Sequence, residues 1–407
     1  MASEVAPCMP LQLFRRAAGS RRLRPHEVCR RLTEDLNVLS AGRQGVDATP
    51  GAATGMEQPL QPAQRAASED VQKQLHDVLE VLEDAAERSE RGSYQGDHQP
   101  DSAKELVAQF LAADLPSQLV ASLVDLEFEA KKEVISFFST IVRLGPHLGE
   151  DLIQEYVRSH PGFFKLLVEG HGKPEIATQC GVVLRSCARH RQIVEAFLAS
   201  PEVPFCLIAF MRHESFDISS DAFSSFHDIL LTHKSVSASF LDANFQEFFT
   251  LFNGLLQSND YVTQRQALKL LSEILLDRAF VRAMLSYIGD EQFLQIHMNL
   301  LRANSKAIQF EAFHIFKIFV ANPQRPPRVQ QILYKNKDKL VKLLDTLRPN
   351  RADDRQFAED KSTVIGKLQA LEPPERAPSK VHGALPPNPV ITPTQDIEAS
   401  CQEPAAA

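Results

Sequence analysis

The chain has 407 residues, with 44 basic against 52 acidic side chains and a net charge of −8, a balance that argues against a general nucleic-acid binder, whose domain usually carries a positive field. Six cysteines are too few for a disulfide scaffold, and no uninterrupted apolar run of about 18 residues offers a membrane span. Seventeen glycines against 25 phenylalanines, with no tryptophan, suit neither a turn-rich β fold nor a glycine-looped nucleotide enzyme.

The elements follow in chain order. Residues 1–40 read as a basic arm and a first helix. Arg15, Arg16, Arg21, Arg22, Arg24, Arg30 and Arg31 stand against two glutamates in residues 1–31. That composition fits a basic arm or an organelle transit peptide. Over Pro25–Leu39, Val28, Leu32, Leu36 and Leu39 recur at three and four residues, as one helical face requires. Residues 41–69, rich in Ala, Gly, Gln and Pro, read as a flexible linker. Residues 70–371 form the packed body: 23 of the 25 phenylalanines fall within 101–350, but only 10 of the 25 prolines. Residues 372–407 read as a disordered Pro-rich tail, with Pro386, Pro387, Pro389 and Pro393 blocking helix.

The body contains a repeat. One small or aliphatic residue anchors a helix in each copy: Val134, Gly181, Ala222, Ala267 and Ala312, at intervals of 47, 41, 45 and 45 residues. Four positions after the anchor stand Phe138, Arg185, Phe226, Leu271 and Phe316, and only Arg185 breaks the apolar pattern. Seven after it come Ile141, Ala188, Ile229, Ile274 and Phe319. Such offsets line one face of a helix. A helical period in the low-to-mid forties is the signature of armadillo or HEAT units. The expected fold is all-α, an armadillo/HEAT-like helical-repeat solenoid: a curved rod whose stacked units share one core and offer a concave binding face. Pro174 is expected in a first helical turn, and Ser215 and Ser305 at positions where a side-chain oxygen caps free N–H groups.

Signals for chemistry are missing. The sequence has no phosphate-binding G-x-x-x-x-G-K-[ST], no H-E-x-x-H and no Cys-x-x-Cys, and no EF-hand calcium loop. Cys180 and Cys187, seven apart on one helix, read as packing residues. His227, His297 and His314 fall on three different helices and show no convergence. No catalytic residue, no metal site and no cofactor is expected, which favours binding as the function.

The fourth repeat carries the clearest surface. Tyr261, Arg265 and Lys269 are spaced by four, so they form one stripe, offset from the core stripe of Leu268, Leu271 and Leu275. A tyrosine followed by two cations can bury a ring and meet carboxylates. The competing reading is a solvated basic face with Tyr261 covering the edge of the core. Met298, with Arg302 nearby, is a second candidate, because Met is adaptable and common at peptide pockets, although Met298 suits a core equally well.

These stretches closely resemble the scaffold family known as mouse protein twenty-five or calcium-binding protein thirty-nine. The likeness is strongest over Tyr261–Arg278 (YVTQRQALKLLSEILLDR) and Met298–Pro323 (MNLLRANSKAIQFEAFHIFKIFVANP), supported by Ser215–Phe226 and Pro174–Gly181. It runs over about 100–371, with a weaker match at Pro25–Leu39. The resemblance implies a non-catalytic helical-repeat scaffold that binds a STRAD-like pseudokinase or a sterile-twenty (germinal-centre) kinase and stabilises its active form. It also implies a cytoplasmic role in kinase signalling, polarity and division. By similarity, Tyr261, Arg265 and Lys269 belong to the concave kinase contact, and Met298 and Arg302 to a pocket for a Trp-Glu-Phe-type tail. Arg278 matches a binding position whose surface the resemblance leaves open. Val281 stands where the family often has Phe, and Phe280 lies one position away, about 100° around a helix. No nucleic acid and no membrane span are expected, and self-association is left open. A repeat adaptor for RNA or transport cargo is the competing function. An RNA reader would need stacking aromatics in most repeats, whereas only the fourth joins a Tyr to two cations.

Overall fold

The computed structural model describes residues 24–44, 61–90, 100–148, 151–348 and 355–373. Among the described residues there are nineteen α-helices and no strand. No single described helix is long and apolar enough to cross a membrane. The chain divides into two compact units: one holds the residues up to Leu115 with Asp125–Glu133, the other Pro116–Val124 with everything from Val134 onward.

The first unit is built on α1 (Pro25–Gln44), α2 (Pro62–Glu90) and α3 (Pro100–Ala112). Each starts on proline, whose missing N–H is no loss in a first turn. Leu32, Leu36 and Leu39 of α1 are buried, as are Val71, Leu75, Val78 and Leu82 of α2. The α1–α2 pairing is fastened by Gln74, which donates to Asp35 at 2.6 Å. Residues 62–69, counted with the flexible linker, form the first two turns of α2, and Ala67 and Ser68 are buried there. Ser68 Oγ accepts the backbone N–H of Glu127 at 2.9 Å.

The second unit repeats a three-helix motif. After α4 (Leu115–Ser122) and α5 (Phe128–Leu148), the motifs are α6 (Asp151–Ser159), α7 (Gly162–Glu169), α8 (Ala177–Cys187); α9 (Arg191–Leu198), α10 (Glu202–Phe210), α11 (Phe216–Thr232); α12 (Lys234–Ala243), α13 (Phe245–Leu256), α14 (Tyr261–Leu276); and α15 (Val281–Gly289), α16 (Glu291–Leu300), α17 (Lys306–Ala321). The paired helices α18 (Pro327–Thr346) and α19 (Arg355–Gln369) follow. Like helices stack on like: α6, α9, α12 and α15 make one row; α7, α10, α13, α16 and α18 a second; α8, α11, α14, α17 and α19 a third. Three helices per repeat, stacked in three rows, is an armadillo/HEAT-type fold.

All five anchors lie on α5, α8, α11, α14 and α17, and all are buried. The core between repeats is aromatic. Phe226 lies 6.1 Å from Phe248, Phe248 4.9 Å from Phe249, and Phe249 4.9 Å from Tyr287, which stands 6.0 Å from Phe319. Phe313 meets Phe357 of α19 at 5.0 Å. Such edge-to-face and offset pairs add to the area term that buries them.

Two local expectations are corrected. Pro174 precedes α8 by three residues and belongs to the turn before it. Ser215 occupies the N-cap position of α11 but makes no cap bond; its backbone N–H donates instead to His213 Nδ1 at 3.0 Å. Ser305 does cap α17, accepting from Ile308 N at 3.5 Å. Cys180 and Cys187 are buried free thiols whose pKa burial pushes up to about 12.

Two helix glycines differ sharply in what a side chain would meet. A β-carbon on Gly254 would overlap the Arg212 guanidinium, the far end of a long, exposed side chain. Arg212 can swing away, losing its 3.2 Å bond to the Leu251 carbonyl. That loss, about 1 kcal/mol, is offset by about 1 kcal/mol of helix propensity. Gly254→Ala is therefore expected to leave thermal stability nearly unchanged, and a large drop in the unfolding midpoint would show that Arg212 is not free to move.

Candidate partner-binding faces

The third-helix row presents the stripe. Asp260 caps α14 by accepting Thr263 N at 2.6 Å, a bond that holds its carboxyl below the usual range. This fixes Tyr261 at the first helical position. Tyr261 is 46% exposed, Arg265 is exposed and the Lys269 side chain is 70% exposed. The structure brings these three together on one helix face, while Leu268, Leu271 and Leu275 of the same helix are buried.

The row adds residues that the sequence argument did not single out. Phe216 opens α11 six residues before its anchor, the position Tyr261 takes in α14, and is 61% exposed. Equivalent positions of neighbouring repeats thus carry two exposed aromatics. An exposed large aromatic is informative when it recurs at one register. Between α11 and α14 lies an open groove lined by Ser220, Ser224, His227, Lys269 and Glu273. Glu273 contacts His227 Nε2 at 3.0 Å and Lys269 Nζ at 3.9 Å. Extending the repeat alignment six positions upstream of each anchor would have found Phe216.

Met298 and Arg302 lie elsewhere. Met298 is half-buried on α16, in the second-helix row, and Arg302 is exposed just beyond that helix. Arg328 Nε of α18 lies 4.0 Å from Glu291 Oε2 of α16. Both residues start their helices, so the two packed helices run the same way. Seven residues onward, about 10 Å along each, come Met298 and Lys335. Lys335, Lys339 and Lys342 are exposed at spacings of four and three, a basic stripe on α18 that begins level with Met298. That pairing spans 37 residues of sequence and has no local signal.

Arg278 joins neither group. It begins a 3-10 turn (Arg278–Phe280) past the end of α14, whereas Tyr261 begins α14, so the helix length of roughly 24 Å separates them. Asp277 caps the turn, accepting Ala279 N at 2.9 Å, and pairs with Lys234 at 2.6 Å; these bonds hold its carboxyl low. Phe280, the last residue of that turn, is buried. Val281 is exposed there, near Leu276 and Leu285 in sequence, which are exposed too.

Of the three histidines, His227 is exposed on the third row, His314 is half-buried and His297 is fully buried. Among the described residues no group of three or more His, Cys, Asp or Glu is placed to hold a metal ion. What the surface offers is recognition chemistry: rings, cations and carboxylates on a rigid helical row.

The chain has relatives among known proteins. Residues 13–372 match the Mo25-like family. The degreening-related dee76 protein of Auxenochlorella protothecoides is 37% identical, over 77% of this chain and 94% of its own. Human calcium-binding protein 39-like is 37% identical, over 75% and 88%. The Mo25-like protein of Schizosaccharomyces pombe is 42% identical, over 66% and 80%. The chain therefore belongs to the Mo25-like family of helical-repeat scaffold proteins.

Proposed function

We propose that this protein is a non-catalytic scaffold that binds a STRAD-like pseudokinase or a sterile-twenty (germinal-centre) kinase in the cytoplasm, and that it promotes kinase signalling in polarity and division. The observation that carries this reading is the exposed stripe of Tyr261, Arg265 and Lys269 on the third-helix row, with Phe216 at the equivalent place one repeat earlier. Tyr and Arg are the usual energetic anchors of interfaces. The second contact is the α16–α18 face, where Met298 offers an adaptable apolar surface and Lys335 and Lys339 offer charge to an acidic, aromatic tail. Arg302 lies at the end of the same helix.

A scaffold without chemistry activates a kinase only by binding its active conformation more tightly than the inactive one. About 1.4 kcal/mol of preference gives a tenfold shift. Arg265 and Tyr261 are the residues assigned to that preference.

Arg265→Ala and Tyr261→Ala are each expected to weaken binding of a sterile-twenty-type kinase domain by roughly thirtyfold, about 2 kcal/mol. Activation should fall with it while the helical circular dichroism stays intact. Met298→Ala is expected to spare that contact and to weaken capture of a partner's tail peptide. Unchanged kinase binding in both stripe variants would sink the assignment of the third-helix face.

A further inference from the structure

The second-helix row carries a groove remote in sequence from both partner-binding faces. Helix α10 lies between α7 and α13 in that row. It buries Val203, Pro204, Phe205, Cys206, Leu207 and Ile208 in succession, the mark of a helix enclosed on almost every side. Only Glu202 at its start and Ala209 near its end are exposed. The outward face of α10 therefore carries few long side chains, while α7 and α13 raise the exposed Lys165 and Glu247 beside it. The result is an open groove of about 750 Å3 that crosses three consecutive repeats. That volume is in the range of ligand pockets and exceeds any one side chain.

The lining has a definite chemistry. Val168, Val203 and Phe205 give it an apolar floor. Its polar groups are mainly acceptors. Glu169, Glu202 and Glu247 stand against one cation, Lys165, whose Nζ is already 3.7 Å from Glu169 Oε1. Glu202 and Glu247 have no ion-pair partner among the described residues. Asn244 spends its amide nitrogen on the Phe240 carbonyl at 3.0 Å, which leaves its Oδ1 to accept. A ligand that satisfies these groups must donate hydrogen bonds and carry positive charge, and the floor calls for an apolar side chain next to them. The same carboxylates repel nucleic acid and acidic lipid headgroups.

We propose that this groove docks a basic peptide of a partner protein, with an apolar side chain on the floor and Arg or Lys groups on Glu202 and Glu247. The assignment is separate from the kinase-binding reading, because α7, α10 and α13 carry none of Tyr261, Arg265, Lys269, Met298 and Arg302. A scaffold with both surfaces holds two partners at once.

The test is fluorescence anisotropy of the full-length chain with a labelled octapeptide of alternating leucine and arginine. Saturable binding is expected, weakened roughly tenfold at low salt by the double variant Glu202→Gln/Glu247→Gln. Both side chains are exposed in first helical turns, so the fold tolerates the change. Asp345→Asn on α18 removes an exposed carboxylate outside the groove and should leave binding unchanged, as should Arg265→Ala. An octapeptide with serine in place of leucine leaves the floor uncovered and should bind roughly tenfold more weakly. No binding to the unaltered chain, equal binding to the double variant, or an equal loss in Asp345→Asn each overturns the proposal. Equal binding of the serine peptide overturns it too, since it would reduce the groove to an unspecific acidic surface. None of these outcomes touches the assignment of the third-helix face.

Discussion

Gly181→Ala lowers the unfolding temperature by roughly 3–5 °C, the shift expected in a chain of this size from a loss of about 2–3 kcal/mol. Gly181 is the anchor of α8, and a β-carbon there would overlap the Asp221 carboxylate reaching in from α11. That carboxylate cannot move freely. Its Oδ1 accepts from Arg185 Nη1 at 2.9 Å, and the same nitrogen donates to Ser225 Oγ at 2.9 Å. Its Oδ2 lies 3.3 Å from Nε2 of the fully buried His171, whose Nδ1 donates to the Leu167 carbonyl. Breaking a largely buried ion pair costs about 3–5 kcal/mol when one partner is lost. Here the pair is displaced rather than deleted, and alanine returns about 1 kcal/mol of helix propensity, hence the smaller net loss. If overlap with Asp221 is the cause, the double variant Gly181→Ala/Asp221→Ala is no less stable than Asp221→Ala alone. Additive losses in thermal melts would rule that cause out.

The same cluster shows how far the sequence could be read. Arg185 breaks the apolar pattern four residues after its anchor, and the reason is now visible: it pairs with Asp221 of the next repeat. Third helices were legible because they run 11–21 residues and keep one face apolar through several turns. The first and second helices of each repeat are mostly 8–10 residues, too short for periodicity to declare them. Several of their starts depend on single side chains, such as Asp290, which accepts from Gln292 N and Phe293 N to begin α16. The start of α2 was hidden for another reason. Residues 62–69 are rich in Ala and polar side chains, a composition shared by linkers and by good helix formers, and only packing against α1 selects the helix.

The binding faces divide similarly. Tyr261, Arg265 and Lys269 lie on one helix, so their spacing alone revealed the stripe. Phe216 shares that face from the neighbouring repeat, about 45 residues away, and only the stacking of helices puts it there. Lys335 reaches the level of Met298 because α18 runs alongside α16. Side chains brought together by stacking leave no mark within any window of sequence shorter than the repeat.

Acid should weaken the C-terminal repeats through one buried imidazole. His297 of α16 is fully enclosed between Tyr287 and Phe319, their ring centroids each 5.8 Å away. The Tyr287 hydroxyl donates to Asn253 Oδ1 at 2.8 Å, so its lone pair receives the proton of His297 Nε2 at 2.9 Å. His297 Nδ1 is buried with no hydrogen-bond partner among the described residues. Burial drives the pKa of His297 down from 6.5 to about 3. The native ring is then neutral at a pH where the unfolded chain's is protonated. Below pH 6.5 the unfolded state binds more protons, and stability falls as the pH drops towards 3; above 6.5 the contribution is fully present. At about 1.4 kcal/mol per pH unit, the step from pH 6.5 to 5 removes roughly 2 kcal/mol, and the whole window on the order of 4–5 kcal/mol. His297→Gln keeps an N–H for Tyr287 but cannot titrate. Urea unfolding of both proteins at several pH values isolates this one group, because the other histidines contribute equally to each. The unaltered protein should lose about 2 kcal/mol more than His297→Gln between pH 6.5 and 5. Parallel pH profiles would mean that His297 is not held neutral by its burial.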